Sequence, residues 1–296
     1  MRHSKLYTAG NVARILRTER GSRLPLLASY LRLKLEELSS GGGRAEEIKR
    51  TRVLDMQVSF FDYYWLVEMF EEIFVRQHYY FEAESSTPVI VDVGSNIGLA
   101  ILYFKRLYPA STVIGFEPDP DAFEVLTRNI TDNRLEGVQV LNEAVHGGSD
   151  SVYLYGDPGT PGSPQTSTRS ERIGGRGRAV PATRLSDHIS GTVDFLKLDV
   201  EGAEGVVVED LERASRLEAI ARMAVEYHHH VDPDDDAFGR MLTALERSGF
   251  GYQLEARLAG SPGLHTRHFQ NVLVHAYRKG AVTAPAAAED AHPNER

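Results

Sequence analysis

The sequence predicts an α/β fold, in which a helical N-terminal region precedes a doubly wound, mostly parallel sheet. Two observations indicate this fold. From residue 88 onward, apolar runs of strand length alternate with helical patterns, and strands buried on both faces of a parallel sheet have such continuous apolar runs. Strands that alternate with helices favour right-handed crossovers, and therefore parallel pairing.

The composition is typical of a soluble globular protein. The chain has 296 residues, of which 42% are hydrophobic and 25% are charged. No apolar stretch approaches the ~20 residues that cross a bilayer, and no apolar signal core follows the start of the chain. The absence of cysteine excludes disulfides and thiolate metal sites. We expect a cytoplasmic protein.

The charge is unevenly distributed. The net charge is −9, but residues 1–50 contain eleven Lys and Arg against five Glu, so they carry +6 and the remainder carries −15. An acidic body argues against a nucleic-acid partner, because such binding needs a basic face. The basic N-terminus could contact an anionic partner, or it could be the solvated face of attached helices.

Residues 1–85 have helical rather than strand periodicity. Leucines recur every four residues from Leu27 to Leu35, which is typical of a helix face, and a homo-oligomer could form through such helices. The sequence from 39 to 43 (Ser-Ser-Gly-Gly-Gly) predicts a hinge. The aromatic stretch 60–74 predicts a helix packed on the main domain, in which one or two aromatics could line a substrate pocket.

Residues 86–280 predict the α/β domain. We expect its strands near 88–93, 111–116, 137–141, 193–199, 219–226, 250–255 and 271–277. We expect its helices near 97–108, 119–131, 203–213 and 235–248. No long helix separates the last two strands, so the final strand should be antiparallel.

Three further segments complete the prediction. Asp119 and Pro120 are a good N-cap and first residue for the second of these helices. Residues 156–178 follow a short strand at 151–155 and are rich in Gly and Pro, which favours a mobile cover over the site. Residues 281–296 are predicted to be a disordered tail.

The first strand and the acid that ends the second indicate a nucleotide site. Asp92, Gly94 and Gly98 follow the first strand, where glycines permit a tight turn before a helix. Glu117 lies roughly twenty residues after this turn, where such folds place the acid that binds ribose hydroxyls. Ser95 and Asn96, between the glycines, could either cap the helix or contact a ligand.

A second group of polar residues follows the fourth strand. The alternation of side chains predicts that Lys197, Asp199 and Glu201 share one side if that strand stays extended. Lys197 interrupts an apolar run, so it needs a carboxylate partner, and a purely structural ion pair is as reasonable as a direct role in the site. Asp199 could bind the substrate, orient a base or hold a cation.

The fifth strand supplies Glu226 and His228, two residues apart. Histidine is the usual general base near neutral pH, so we predict that His228 is the base and that Asp199 and Glu226 orient it or the acceptor. An alternative is that Asp199, Glu226 and His228 hold a divalent cation such as Mg²⁺. The same cluster could equally bind substrate hydroxyls, and we do not favour the metal.

The turn after the first strand distinguishes between nucleotide ligands. A dinucleotide site would have Gly-x-Gly-x-x-Gly, whereas this turn has one glycine at its start and an acid before it. An acidic turn repels a diphosphate but suits a ligand with a protonated amine. S-adenosylmethionine has that amine together with a ribose, so the sequence favours methyl transfer.

Four motifs, at residues 92–98, 115–120, 197–204 and 225–228, resemble the FkbM family of S-adenosylmethionine-dependent methyltransferases. The resemblance covers roughly residues 60–255. It implies a seven-stranded class I methyltransferase fold, which is Rossmann-like, and O-methylation of hydroxyls, often on sugars or natural-product intermediates.

The resemblance also implies roles for individual residues. Asp92, Gly94 and Asn96 would line the methionine end of the donor, Glu117 would bind its ribose, and Glu143 and Ala144 would flank its adenine. We therefore predict O-methylation of a small, sugar-containing acceptor. A nicotinamide-dependent oxidoreductase and a noncatalytic protein that binds a cofactor or a partner remain as alternatives.

Overall fold

A computed structural model describes residues 2–17, 23–40, 47–156, 163, 166–170, 177–229, 231, 237–256 and 270–280. The α-helices are α1 (Arg2–Arg17), α2 (Arg23–Ser39), α3 (Tyr63–Phe70), α4 (Leu99–Leu107), α5 (Pro120–Asp132), α6 (Glu204–Arg213) and α7 (Ala237–Arg247). Within the described ranges, every helix is too short or too polar to cross a bilayer.

In the described part of the chain, the strands form three sheets. They are β1 (Lys49–Val53), β2 (Met56–Phe60), β3 (Val89–Val93), β4 (Thr112–Phe116), β5 (Val138–Leu141), β6 (Ala144–Val145), β7 (Ser151–Leu154), β8 (Arg178–Thr183), β9 (Phe195–Leu198), β10 (Arg222–His229), β11 (Phe250–Ala256) and β12 (Gln270–Arg278). The central sheet has seven strands in the order β11-β12-β10-β9-β3-β4-β5.

The central sheet confirms the predicted fold class. Strand β12 is antiparallel to both of its neighbours, β10 and β11, while the pairs from β10 to β5 are parallel. Strand order reverses between β3 and β9, because the chain first builds β3, β4 and β5 outward and then returns to the other side of β3. In sheets of this kind, ligands bind at that reversal, beyond the carboxyl ends of the strands.

Residues 1–85 are not entirely helical, so that prediction was wrong for one segment. Strands β1 and β2 form an antiparallel hairpin in which Lys49 pairs with Phe60 and Val53 with Met56. Two asparagines attach the hairpin to α5, and one of them is its C-cap, Asn133, which accepts from Gln57 N at 2.9 Å and donates to Gln57 O at 2.6 Å. The Asn129 side chain accepts from Ser59 N at 2.7 Å and donates to Ser59 O at 3.0 Å.

The N-terminal helices share one hydrophobic core with the central sheet. Ile15, Leu33 and Phe70 belong to the same buried cluster as Phe104 and Phe195. The buried residues of α2 are Ser29, Tyr30 and Leu33. The leucines that recur every four residues therefore do not form its buried face, since Leu31 and Leu35 are 43% and 67% exposed.

A buried polar contact fixes how α2 meets the segment after α3. Tyr30 Oη donates to Glu71 Oε1 at 3.0 Å, and Arg76 Nη2 lies 3.3 Å from Glu71 Oε2. Glu71 begins a π-helical turn, Glu71–Val75, that directly continues α3. The predicted helix at 60–74 is thus present, and Asp62 caps it by accepting a hydrogen bond from Tyr64 N at 2.7 Å.

The segment after β5 forms the three-stranded sheet, in the order β6-β8-β7. Strand β8 was not predicted, because it directly follows the Gly- and Pro-rich loop. In the described part of that loop, Ser167 pairs with Tyr155, and its Oγ donates to Glu201 O at 2.6 Å. The predicted tail at 281–296 and most of the predicted hinge at 39–43 lie outside the described residues.

Candidate active site

A cavity of about 230 Å³ lies at the carboxyl ends of β3, β4, β9 and β10. Its floor is the turn after β3, and its sides come from the ends of the neighbouring strands and from α3. The predicted residues that line it are Gly94, Ser95, Asn96, Glu117, Glu143, Ala144, Asp199 and Glu226. The cavity therefore lies at the strand-order reversal, where the sheet topology predicts a ligand.

Gly94 allows two strand ends to meet. Its φ is +83°, and a Cβ at this position would lie 1.8 Å from the carbonyl oxygen of Asp199. A side chain at Gly94 would therefore force apart the turns that follow β3 and β9. Gly98 has a different role. A Cβ added at this position would lie 2.5 Å from Leu126 Cδ1, and Gly98 does not line the cavity. Gly98, which the sequence places in the predicted nucleotide-binding turn with Gly94, thus permits close packing of α5 and lies outside the cavity lining.

Ser95 and Asn96 complete the turn. Ser95 Oγ donates to the backbone oxygen of Asp92 at 3.0 Å, and Ser95 O accepts from Gly98 N at 2.8 Å. Asn96 has a φ of +47°, in the left-handed region. Both residues also line the cavity, so they stabilise the turn and are accessible to a ligand as well.

Backbone amides hold both oxygens of the Glu117 carboxylate. Oε2 accepts from Asn96 N at 2.7 Å, and Oε1 accepts from Asp119 N at 2.8 Å. A carboxylate oxygen has two lone pairs, so each oxygen can accept one further hydrogen bond from a ligand in the cavity. The pKa of Glu117 is raised to about 8, because the effect of burial outweighs that of the two amide hydrogen bonds, which lower the pKa.

Asp119 confirms the predicted start of α5. Its Oδ1 accepts from Asp121 N at 2.8 Å and from Ala122 N at 3.3 Å, and Pro120 is the first helical residue. Because this cap is already complete, Glu117 is not needed to begin the helix. Its carboxylate instead lies between the turn after β3 and the start of α5.

Lys197 is a buried cation beneath the turn. Its Nζ donates to Gly94 O at 2.7 Å and lies 3.3 Å from Asp92 Oδ1 and 3.5 Å from Asp199 Oδ2. Asp92 is fully buried and does not line the cavity, although the family resemblance implies that it lines the methionine end of the donor. Burial raises the pKa of Asp92, and the charge of Lys197 opposes that change.

His228 lies behind the cavity rather than in it. Its Nδ1 is 2.8 Å from Glu204 Oε1, its Nε2 is 3.1 Å from Glu201 Oε2, and the residue is 3% exposed. Burial lowers its pKa, but the two carboxylates outweigh burial and raise the pKa to about 10. An imidazolium with both nitrogens engaged does not suit a general base, which contradicts the predicted role.

Glu226 does face the cavity. It is half-buried, and Oε1 accepts from Asn271 Nδ2 at 2.8 Å. Burial and the neighbouring charges of Asp199 and Glu72 raise its pKa to about 8. A carboxylate with a pKa near the working pH is suited to proton transfer.

The geometry does not support the predicted metal ligands. Among the described residues, the group whose ligand atoms lie within 4.8 Å of one another is Asp199, Glu204 and His228, without Glu226. The closest contact in that group is the 2.8 Å ion pair between His228 and Glu204.

Three residues of the site were not singled out from the sequence. Glu204 is the last residue of the motif at 197–204 and its sequence position predicts no role, yet its Oε1 accepts from Val200 N at 3.2 Å and Gly202 N at 3.0 Å. Trp65 and Tyr79 line the cavity from the N-terminal region. Their only signal was the aromatic density near α3, which core packing explains equally well.

Comparisons with known proteins agree with this geometry. The sequence model of the methyltransferase FkbM domain matches residues 92–254. Methyltransferase sdnD of Sordaria araneosa is 32% identical over 190 residues, 53% of this chain and 73% of that protein. Hexuronic acid methyltransferase AglP of Haloferax volcanii is 33% identical over 160 residues, 52% of this chain and 61% of that protein.

A third relative is 31-O-demethyl-FK506 methyltransferase FkbM of Streptomyces tacrolimicus, which is 27% identical over 214 residues, 62% of this chain and 80% of that protein. The domain match includes the turn after β3, Glu117, and the β9 and β10 ends that form the cavity. These findings favour methyl transfer over the nicotinamide-dependent alternative. The chain belongs to the FkbM family of methyltransferases.

Proposed function

We propose that this methyltransferase uses S-adenosylmethionine to methylate a hydroxyl group of a small, sugar-containing acceptor. The observation that carries the proposal is Glu117, whose two oxygens each have one backbone donor and face the cavity. Such a carboxylate can accept two further hydrogen bonds, which matches a ribose diol.

The other lining residues fit the rest of the donor. Asp199 and the turn from Gly94 to Asn96 would hold its methionine end, where an acidic residue favours the ammonium group. Glu143 and Ala144 would flank the adenine. The donor supplies a methyl group that is activated by a positively charged sulfur, so the protein's main task is to align the acceptor oxygen with it.

We assign the proton transfer to Glu226 instead of His228. As the new bond between oxygen and the methyl carbon forms, the bond between that carbon and sulfur breaks and its electron pair stays on sulfur. The hydroxyl proton passes to the Glu226 carboxylate. The charged groups around Glu226 are Asp199, Glu72, His228 and Lys197. Because the pKa of Glu226 is raised to about 8, we expect the activity to increase with pH up to about 8.

Relatives support a hydroxylated acceptor. The name of one describes a hexuronic acid methyltransferase, and that of another a 31-O-demethyl-FK506 methyltransferase. The carboxylates of the cavity can accept hydrogen bonds from several hydroxyl groups at once.

Calorimetry with S-adenosylhomocysteine tests the donor. We expect binding that Glu117→Ala weakens, and an absence of binding would contradict the proposal. Donor turnover with a panel of sugars and glycosylated intermediates tests the reaction, with and without a chelator to test for a metal. If the protein binds the donor product but turns over no acceptor in the panel, the noncatalytic alternative is favoured.

A further inference from the structure

We propose that the acceptor half of this cavity selects polyhydroxylated acceptors that are neutral or carry an amine, and excludes those that carry a carboxylate or phosphate. The proposal rests on the proposed function, and it narrows the acceptor to a charge class. It is carried by the side chains that α3 and β10 present to the cavity and by the charge balance among the lining residues.

One face of the helix that begins with α3 lines the acceptor half. Trp65, Glu68, Met69, Glu72 and Ile73 line the cavity, at the i, i+3, i+4, i+7, i+8 spacing of one helix face. The opposite face, Leu66, Val67 and Phe70, is buried in the core. Because the core fixes the rotation of the helix, it also fixes which side chains the acceptor meets.

The charges in the cavity are strongly unbalanced. The described lining residues include seven acids (Glu68, Glu72, Glu117, Glu143, Asp199, Glu201 and Glu226) and one basic residue, Lys197. Lys197 cannot compensate an anionic acceptor, because its side chain is 4% exposed and it is paired with Asp92 and Asp199 beneath the turn.

Of the seven acids, three face the proposed donor and one is paired with His228, which leaves three for the acceptor. Glu117, Glu143 and Asp199 face the proposed donor, and Glu201 is paired with His228. Glu68, Glu72 and Glu226 remain. Arg76 Nη1 lies 3.6 Å from Glu72, but Arg76 is not among the lining residues.

The remaining acids define what can bind. Ionised carboxylates accept hydrogen bonds from hydroxyl groups and attract an ammonium group, whereas they repel an anion at a range of several ångströms in a partly buried site. Burial raises the pKa of Glu68 and Glu226, the latter to about 8, so the repulsion from these two groups grows as the pH rises, while their protonated forms still bind hydroxyl groups. Trp65 adds a half-buried aromatic surface, against which the apolar face of a sugar ring can pack. Together these groups match a neutral sugar or an amino sugar rather than a uronic acid.

The test compares three sugars of one skeleton: methyl glucoside, glucosamine and glucuronate. Saturation-transfer NMR on the protein with bound S-adenosylhomocysteine measures binding. We expect signals from methyl glucoside or glucosamine and a signal at least about tenfold weaker from glucuronate. Glu72→Arg should increase the glucuronate signal relative to methyl glucoside by about tenfold, and Glu72→Gln should change it less in the same direction.

Glu84→Arg is the matched control, because Glu84 is exposed, lies outside the cavity and undergoes the same change of charge. Equal signals from glucuronate and methyl glucoside would overturn the inference, as would no signal from any of the three sugars. An equal effect of Glu84→Arg and Glu72→Arg would also overturn it. Failure of S-adenosylhomocysteine to bind would instead overturn the proposed function, so the two failures are distinguishable.

Discussion

Glu204 and His228 form a buried ion pair, with 2.8 Å between Oε1 and Nδ1, that anchors the turn after β9. The same Glu204 oxygen accepts hydrogen bonds from Val200 N and Gly202 N. That turn begins at Asp199, whose carbonyl approaches Gly94 and whose carboxylate lies beside Lys197. His228 therefore holds in place the turn that begins at Asp199 and does not itself line the cavity.

Replacing His228 should destabilise the fold as well as the site. His228→Ala leaves Glu201 and Glu204 without their shared cation, and removing one partner of a buried ion pair typically costs about 3–5 kcal/mol. Urea unfolding measures that loss. His275→Ala is the control, since His275 contacts the carbonyl oxygen of His78 and should cost less. Unchanged stability with lost activity would restore the role of a base to His228.

The pH dependence of stability should identify the same residue. The pKa of His228 is raised from 6.5 to about 10, so its stabilisation is fully present below about pH 6.5 and is lost as the pH rises through 10. One such group changes the unfolding free energy by at most about 1.4 kcal/mol per pH unit. Glu117 and Glu226, with pKa values raised to about 8, also make stability fall as the pH rises.

The difference in unfolding free energy between the wild type and His228→Ala separates the contribution of His228 from those of Glu117 and Glu226. The destabilisation by His228→Ala should be largest near pH 6.5 and should shrink toward pH 10, since the histidine loses its charge in the wild type. Urea unfolding at several pH values measures this difference. A constant difference across that range would contradict the raised pKa.

The glycine that brings two strand ends together should not tolerate a side chain. Gly94→Ala would place its Cβ 1.8 Å from Asp199 O at a φ of +83°, so the turns after β3 and β9 must separate. We expect a loss of at least about 1–3 kcal/mol in unfolding free energy and weaker binding of S-adenosylhomocysteine. Gly191→Ala is the matched control, because a Cβ there meets nothing within 4 Å. Equal stability of the two variants would contradict the close approach.

The rule that ligands bind at strand ends was sufficient to predict several residues that line the cavity. It identified Gly94, Glu117 and Asp199, because strand ends are visible in the sequence as apolar runs that stop at glycine or acid. The same rule failed for His228. Strand β10 runs to His229, past the end of β9 at Leu198, so Glu201 in the following turn and Glu204 at the start of α6 cover the histidine.

Contacts between distant segments could not be predicted in the same way. The charged strand Lys49–Val53 alternates buried and exposed residues over only five positions, which is too short to distinguish from a loop. The position of Trp65 in the cavity wall depends on how α3 packs on the sheet, and no local pattern specifies that. The partners of Lys197 were expected to be carboxylates, but only the fold identifies Asp92 and Asp199 as those carboxylates.

The hairpin should depend on the buried Asn129, even though Asn133 also binds it through Gln57. Asn129 is 1% exposed, and it satisfies Ser59 N, Ser59 O and Ile97 O. Asn129→Ala leaves these groups without that partner, so we expect a loss of about 2–4 kcal/mol and faster hydrogen exchange at the Ser59 amide. Thr127→Ala, on the exposed side of the same helix, is the control and should leave that amide protected. Unchanged exchange in Asn129→Ala would show that the hairpin is held by other contacts.

Binding of the donor product should depend on the ionisation of Glu117. Burial raises the pKa of this carboxyl to about 8, and the ionised form has more free lone pairs to accept ribose hydroxyls. The affinity for S-adenosylhomocysteine should therefore rise with pH from 6.5 and level off above about 8, a gain of about tenfold. Calorimetry at several pH values measures this change. Glu117→Gln should weaken binding and remove the pH dependence, because an amide does not titrate. Glu124→Gln, on the exposed face of α5, should leave both unchanged. A pH dependence that persists in Glu117→Gln would assign the titration to another group in the cavity.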